Sequence, residues 1–266
     1  FLSVADQTYH WGLLDREVYL AIWITVFSLM GLYLLGKIRF AHDDKLEHIG
    51  VTRLALAIAT FSFVVYLIPG MWGAPLKALS GYLPPIETQD FVVYNYATGA
   101  PSAVPVGGNP APQSNGYRLE LPLGLQGYFS LDEGLEQSRK VRKPVFVDIT
   151  GHGCVNCREM EQRVWSDPQV LDLLRSRYVI VALYTDDKSK LPESEWVTTE
   201  SGKVLKDLGR VNSLLVREKF GVNAQPNYAL LDSEGNLLAP IRGYDLDTKA
   251  FADFLRSGLE AYEARK

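Results

Sequence analysis

Two long stretches without a charged side chain dominate the first third of this chain and limit how it can fold. The first covers 19 residues from Val18 to Gly36, and the second covers 23 residues from Leu54 to Leu76. A helix needs about 20 mostly apolar residues to cross the hydrocarbon of a bilayer. Apolar side chains occupy every face of both stretches, which disfavours the alternative of two buried helices in a large soluble core. The sequence therefore predicts two transmembrane helices, at about 18–36 and 54–73, with the lipid bilayer as a partner.

The connector between the two stretches predicts how they are oriented. It contains Lys37, Arg39, Lys45 and Arg53. An excess of Lys and Arg in a short loop marks the cytoplasmic side of a membrane. Everything after about residue 77 is then expected to lie outside. Because the chain opens directly on membrane-flanking sequence, we expect it to be the C-terminal fragment of a longer polytopic protein.

Charge divides the chain into unlike parts. Residues 1–116 contain 14 charged side chains and residues 117–266 contain 44, with a net charge of −4 that argues against a general nucleic-acid binder. The stretch 91–116 has no charge and is rich in Pro and Gly from residue 101 on, which is typical of a linker. The predicted organisation is a membrane part at 1–80, a linker at 81–116 and an α/β domain at 117–266.

Strand and helix patterns alternate in the charged part. We predict a helix from the capping box of Ser130 and Glu133 to about Arg139, a strand at Pro144–Thr150, a helix from about Cys154 to Trp165, a short helix after Asp167 and Pro168, a strand at Tyr178–Tyr184, a helix at Asn212–Phe220 that ends at Gly221, a hairpin of Asn227–Asp232 with Leu237–Tyr244, and a helix at Asp247–Tyr262. This order indicates an α/β domain with a mixed sheet flanked by helices.

The only two cysteines of the chain, Cys154 and Cys157, lie two residues apart where a buried strand meets a helix. The first thiol would occupy the helix N-terminus, where unpaired amides and the helix dipole favour a thiolate. The second lies one turn further on, close enough to resolve a mixed disulfide. Half of a metal site and an inert structural disulfide are the alternatives. The metal alternative is weak because His152 is the only nearby candidate ligand, so we expect no metal and no organic cofactor.

This arrangement resembles the thioredoxin fold. A strand, a C-x-x-C motif at a helix start and then Gln225-Pro226 ahead of a strand all occur in the expected order. The resemblance implies that Pro226 is a cis-proline facing the cysteine pair, whereas a trans loop proline is the alternative. It also implies that Gln225, Pro226, Gly153 and His152 form the substrate-binding surface.

Membrane helices followed by such a domain resemble the bacterial thiol:disulfide interchange proteins of the DsbD family. The segment VFVDITGHGCVNCREMEQRVWSDPQV, residues 145–170, carries most of this resemblance. It implies an inner-membrane protein whose C-terminal domain is periplasmic. The electron donor would be a membrane core of the same protein, and periplasmic thioredoxin-like or disulfide-bearing proteins would be the acceptors. Neither predicted helix contains a cysteine, so this chain is expected to be a relay and its anchor.

The resemblance also assigns roles around the motif. Cys154 would be the nucleophile and Cys157 the resolving thiol, while Asp148 and Glu161 match two carboxylates near the family's active site. Partly buried carboxylates can shuttle protons to thiols, although their charge opposes thiolate formation. The alternatives are a strand residue satisfied by backbone amides for Asp148 and a solvated helix face for Glu161. For His152 we favour a solvated loop histidine over a proton shuttle.

One position, Gly153, and two alternative functions remain open. Many members of the family have Trp where this chain has Gly153, which leaves the local packing undetermined. The predicted function is a thiol–disulfide reductase that acts outside the inner membrane through Cys154 and Cys157. The alternatives are a tethered reductase acting directly in cytochrome c maturation and a binding module that uses the scaffold without catalysis.

Overall fold

The computed structural model describes residues 2–9, 11–43, 48–74, 76–79, 81–84, 88–89, 119 and 121–265. Its helices are α1 (Leu2–Thr8), α2 (Arg16–Leu34), α3 (Val51–Leu67), α4 (Leu131–Val141), α5 (Val155–Met160), α6 (Pro168–Arg177), α7 (Leu208–Phe220) and α8 (Thr248–Glu263). Its strands are β1 (Gly127–Tyr128), β2 (Val145–Thr150), β3 (Val179–Tyr184), β4 (Val197–Thr198), β5 (Val204–Leu205), β6 (Asn227–Leu231) and β7 (Arg242–Gly243). The chain forms two compact units, one containing α2 and α3 and the other containing α1 and all elements from β1 to α8.

Helices α2 and α3 are the two elements that the uncharged stretches predicted. The first has 19 residues, and the second reaches 22 residues when its closing 3-10 turn at Ile68–Trp72 is included. Both are long and apolar enough to cross a membrane. In the most apolar 18-residue segment of each, 11% of the first helix and 28% of the second are buried. Their low burial disfavours the alternative of two core helices. The helices pack on each other closely at Gly31, where an added Cβ would lie 2.7 Å from the Phe61 ring.

The second unit is built on a five-stranded sheet in the order β1-β3-β2-β6-β7. Strands β1, β3 and β2 are parallel, whereas β6 and β7 are antiparallel to their neighbours. All six residues of β2 and of β3 are buried, as expected for central strands covered by helices on both faces. The predicted mixed sheet flanked by helices is therefore confirmed.

Alternation along β2 assigns its side chains to two cores. Val145, Val147 and Ile149 pack with residues of α4 and α7 on one face, and Phe146 packs with residues of α6 and α8 on the other. Asp148 has the same parity as Phe146, so this acidic residue points into the layer that also contains Trp165. The fold thus places one carboxyl group inside an apolar core.

Several local predictions need correction. Ser130 occupies the N-cap of α4, but its side chain makes no capping hydrogen bond. Helix α7 begins at Leu208 rather than Asn212, because Asp207 accepts a hydrogen bond from the backbone of Arg210. The expected hairpin pairs β6 with only two residues of β7, and a further bridge joins Leu231 to Leu237. Strand β1 and the β4–β5 hairpin were not predicted. Most of the predicted linker, at 85–87 and 90–116, lies outside the described residues.

Candidate functional site

The two cysteines lie where β2 passes into α5. Cys154 is the N-cap residue of α5, and its sulfur accepts a hydrogen bond from the backbone N–H of Cys157 at 3.1 Å. The two residues are joined by a disulfide, with their Cα atoms 5.2 Å apart. Cys154 is half-buried, whereas Cys157 is only 1% exposed. Cys154 therefore presents the accessible sulfur, at a helix end that favours negative charge.

The helix after the cysteines continues to Trp165 through a π-helical turn, Glu161–Trp165, so the predicted end of this helix is confirmed. Glu161 is 5% exposed, which excludes the solvated helix face considered as its alternative. The Arg158 Nη1 atom donates hydrogen bonds to both Glu161 carboxylate oxygens, at 2.9 and 2.7 Å. A buried carboxylate is tolerated here because a buried cation accompanies it.

Asp148 has a different environment. It is 2% exposed, and its Oδ1 atom accepts no hydrogen bond from the described residues. Burial raises its pKa well above the usual value, the negative charge of Glu161 raises it further, and Arg158 opposes both effects. The alternative interpretation, in which backbone amides donate hydrogen bonds to this side chain, is therefore wrong for Oδ1. A carboxyl group in this environment keeps its proton to higher pH than an exposed carboxyl group does.

His152 is not the solvated loop residue that we favoured from the sequence. Its side chain is 8% exposed, its Nε2 atom lies 2.7 Å from Asp187 Oδ2, and its ring stacks on Tyr184 with centroids 4.6 Å apart. Asp187 is a second buried acid: burial would raise its pKa, but hydrogen bonds from His152 and Ser189 outweigh burial and hold the pKa well below its usual value. The histidine is thus a partner in a buried pair.

The neighbouring Asp186 holds the backbone of the loop before Cys154. Its Oδ1 accepts a hydrogen bond from the His152 N–H at 2.8 Å, and its Oδ2 accepts one from the Gly153 N–H at 2.9 Å. Sequence reasoning missed both aspartates, since they follow β3 and are more than 30 residues from the motif. The only available signal was an acidic pair directly after a buried strand that neighbours β2.

Gln225 and Pro226 precede β6 on the other side of the motif. The Gln225–Pro226 peptide bond is cis, as expected. The Gln225 amide donates a short hydrogen bond to the Thr185 hydroxyl and lies against Gly151, where an added Cβ would be 2.4 Å from Gln225 Oε1. The structure thereby brings Gln225, His152 and Gly153 to one loop cluster beside the cysteine pair.

The redox chemistry of this region belongs to the cysteine pair. Within the residues that the structure describes, no group of three or more His, Cys, Asp or Glu side chains is arranged to hold a metal ion. The group able to undergo redox chemistry is the disulfide between Cys154 and Cys157.

A mixed sheet flanked by helices, with a C-x-x-C pair at the start of the helix after a central strand, defines a thioredoxin-like domain. Residues 131–258 match a family model described as a thioredoxin-like domain. Together, the fold and the cysteine pair are those of a thiol–disulfide oxidoreductase.

Solved structures of two proteins resemble this chain. One is titled "DsbH Oxidoreductase", with 20% sequence identity, 55% of this chain and 94% of that chain covered, and a TM-score of 0.39. The other is the solution structure of a thioredoxin from Thermus thermophilus, with 20% identity, 52% and 90% coverage, and a TM-score of 0.38. No curated protein matches the chain.

Proposed function

We propose that this chain is a membrane-anchored protein-disulfide reductase that acts outside the inner membrane. Its C-terminal domain would receive electrons from a membrane core of the same protein and pass them to disulfides of periplasmic proteins. The observation that supports this most directly is the difference between the two sulfurs. Cys154 is accessible at a helix N-terminus, whereas Cys157 is buried one turn behind it. A nucleophile and its resolving thiol need this arrangement.

The proposed reaction moves two electrons and two protons. The Cys154 thiolate attacks one sulfur of a substrate disulfide, which forms a mixed disulfide and releases the other substrate sulfur as a thiolate. Cys157 then loses its proton and attacks Cys154, which closes the Cys154–Cys157 disulfide and releases the second substrate thiolate. Both released thiolates take up protons. The substrate is reduced and the cysteine pair is oxidised, so a dithiol of the membrane core must reduce it again.

Asp148 supplies the proton chemistry in this proposal. Because burial raises its pKa, its ionised fraction is a stronger base than an exposed carboxylate and can accept the proton that Cys157 loses. Its protonated fraction can return a proton when the disulfide is reduced again. Gln225, Pro226, Gly153 and His152 would form the surface that receives the substrate.

The membrane part of the proposal rests on two features. Helices α2 and α3 are long and apolar enough to cross a bilayer, and the Lys37–Arg53 connector between them is rich in Lys and Arg. Two crossings with a cytoplasmic connector would put the thioredoxin-like domain in the periplasm. The resemblance to the DsbD family supplies the further proposal that the electron donor belongs to the same protein.

A trapping experiment tests the redox function. The full chain with Cys157→Ser, expressed in cells, should accumulate mixed disulfides with a small set of proteins, because attack by Cys154 remains possible and resolution does not. The matched Cys154→Ser variant should trap none and should lose disulfide reduction completely. Non-reducing gels and mass spectrometry identify the partners.

Each other outcome rejects part of the proposal. If neither variant traps a partner, the chain is a binding module. If only Cys154→Ser traps partners, the nucleophile and resolving roles are reversed. If the trapped partners are cytochrome c precursors alone, the chain acts directly in cytochrome c maturation instead of in a general relay.

A further inference from the structure

The helix that begins at the cysteine pair contains a buried ion pair that the proposed chemistry does not use. Arg158 and Glu161 are one turn apart, and their side chains are 7% and 6% exposed. One guanidinium nitrogen donates to both carboxylate oxygens. Hydrogen bonds between ionised partners are about twice as strong as neutral ones, so this geometry favours the ionised form of Glu161.

Asp148 is buried close enough to Arg158 and Glu161 for both charges to act on its pKa. It takes no part in the hydrogen bonds that join these two side chains. Its Oδ1 atom is buried without a hydrogen-bond partner among the described residues. A second ionised carboxylate here would be repelled by Glu161 and would lack a donor at its Oδ1 atom. The two carboxyl groups are therefore unequal: negative charge is stabilised on Glu161, and a proton is stabilised on Asp148.

Two buried phenols around this interior stay neutral near neutral pH. Tyr184 from β3 and Tyr228 from β6 both face the carboxyl groups, and burial raises the pKa of each phenol further above its usual value. His152, which stacks on Tyr184, is itself paired with Asp187. The proposal therefore concerns the charges of the two carboxyl groups and the two thiols, with Arg158 as the fixed cation.

We propose that Arg158 is a positioning residue that keeps the exchangeable proton on Asp148 by holding Glu161 in an ion pair. This inference deepens the proposed redox function and rests on it. Without the guanidinium, Glu161 would compete for the proton, and its uncompensated charge would oppose the Cys154 thiolate. Arg158 thus makes one carboxyl group the proton carrier and the other a fixed charge.

Infrared spectroscopy of the full chain in detergent micelles at neutral pH tests this assignment directly. A protonated carboxyl band should be present in the unsubstituted chain and absent from Asp148→Asn, because Arg158 keeps Glu161 ionised. The band should return in the double variant Asp148→Asn/Arg158→Met, since Glu161 then takes up the proton. Arg163→Met is the matched control: Arg163 pairs with Glu159 on the same helical segment, but its side chain is 45% exposed. In the Asp148→Asn background this control should show no band.

A second measurement uses the pH dependence of Cys154 alkylation by iodoacetamide in the reduced full chain, followed by mass spectrometry. Arg158→Met leaves Glu161 uncompensated and should move the midpoint to higher pH, by about half a pH unit or more. Glu161→Gln leaves Arg158 uncompensated and should move it to lower pH. The double variant should return towards the original midpoint, and Arg163→Met should leave it unchanged.

Three results would overturn the proposal. These are a carboxyl band that persists in Asp148→Asn alone, no band in Asp148→Asn/Arg158→Met, and midpoint changes of the same sign in Arg158→Met and Glu161→Gln. If Arg158→Met does not fold, an unchanged midpoint in Glu161→Gln also rejects the proposal. Neither measurement needs a protein substrate, so a failure of the trapping experiment would be distinguishable from a failure here.

Discussion

Two acidic side chains near the cysteine pair are both buried, yet burial has opposite outcomes for them. Asp187 receives hydrogen bonds from His152 and Ser189, and these hold its pKa down. Asp148 has one oxygen without a donor among the described residues, so burial and the charge of Glu161 raise its pKa. Hydrogen-bond donors, rather than depth in the core, decide which acid is a stable anion and which can exchange a proton.

Asp148→Asn should lower the pKa of the Cys154 thiol, because Asn cannot acquire the negative charge that Asp148 gains when it ionises at higher pH and that then opposes the thiolate. Exchange should also become slower wherever proton transfer limits the rate, because the proton acceptor is lost. Alkylation of Cys154 as a function of pH, in the reduced full chain, measures the first effect. Asp172→Asn, on the exposed face of α6, is the control for loss of one carboxylate. An unchanged alkylation profile in Asp148→Asn would make Asp148 a structural residue.

Asp148→Asn should also change how stability depends on pH. The folded-state pKa of Asp148 is raised, so the folded chain binds the proton more tightly than the unfolded chain does. The stabilisation that this protonated carboxyl group gives the folded chain is fully present below the unfolded pKa of about 4. It falls by about 1.4 kcal/mol for each pH unit above that value, until the pH passes the folded-state pKa. The Asn variant lacks this loss. Its free energy of unfolding should therefore decrease less, or increase more, between pH 4 and pH 8 than that of the unsubstituted chain does. Urea unfolding followed by tryptophan fluorescence at the two pH values tests the sign.

Asp187→Asn should have the opposite pH signature. The lowered pKa of Asp187 adds stability that is fully present above about pH 5 and disappears as pH falls through the folded-state pKa. The substitution also breaks a buried pair, so it should cost about 3 kcal/mol at pH 7 and less at acidic pH. The same urea titrations at pH 7 and at about pH 3, below the unfolded pKa of an aspartate, measure this. An equal cost at both pH values would contradict an ionised Asp187 as the stabilising group.

Individual site residues could be predicted from the sequence where their immediate neighbours along the chain identify them. The cysteine pair follows from its spacing at a helix start, and Asp148 was assigned by the resemblance of its segment to the DsbD family. The contact between His152 and Asp187 joins residues 35 positions apart, and only the parallel pairing of β2 with β3 brings them together. The alternatives for Glu161 could not be decided either, because its burial depends on a buried partner, Arg158.

Among the secondary-structure elements, strong local signals again gave the reliable predictions. The apolar runs predicted β2 and β3, and the Asp167-Pro168 pair predicted the start of α6. Strand β1 has only two residues, Gly127 and Tyr128, and exists because Ile180 and Val181 of β3 offer it a pairing edge. The true start of α7 was missed because Asp207 lies in a polar stretch without apolar periodicity.

Loss of one helix cap should have a measurable cost at this scale. Asp167 Oδ1 accepts hydrogen bonds from the backbone N–H groups of Gln169 at 2.9 Å and Val170 at 3.4 Å. Asp167→Ala leaves those donors without this acceptor and should reduce the free energy of unfolding by about 1 kcal/mol. Asp172→Ala in the middle of the same helix controls for the lost charge. An equal effect of both variants would mean that the cap contributes nothing.

For the whole molecule, the two units differ in how they bury their apolar side chains. The thioredoxin-like unit buries its apolar residues in two cores around its sheet. The other unit leaves large apolar side chains exposed along α2 and α3, namely Val18, Ile22, Val26, Leu29, Met30, Leu32, Val51, Leu54, Leu56, Ile58, Val65 and Tyr66. Apolar surface of this extent is unfavourable in water and matches what lipid would cover. Composition alone predicted this division, because the absence of charge over about 20 residues is a local property.

The orientation of α2 and α3 gives a prediction for the intact molecule. If the Lys37–Arg53 connector is cytoplasmic, a cysteine reagent that cannot cross membranes should reach Cys154 in intact spheroplasts after reduction of the disulfide. A matched variant tests the other side: His42→Cys in a Cys154→Ser/Cys157→Ser background places one thiol on the exposed connector, and it should react only after lysis. The reverse pattern would invert the topology. Two crossings place the connector on one side of the membrane and the cysteine pair on the other. Labelling of both positions in intact spheroplasts would therefore mean that the two helices do not both cross the membrane.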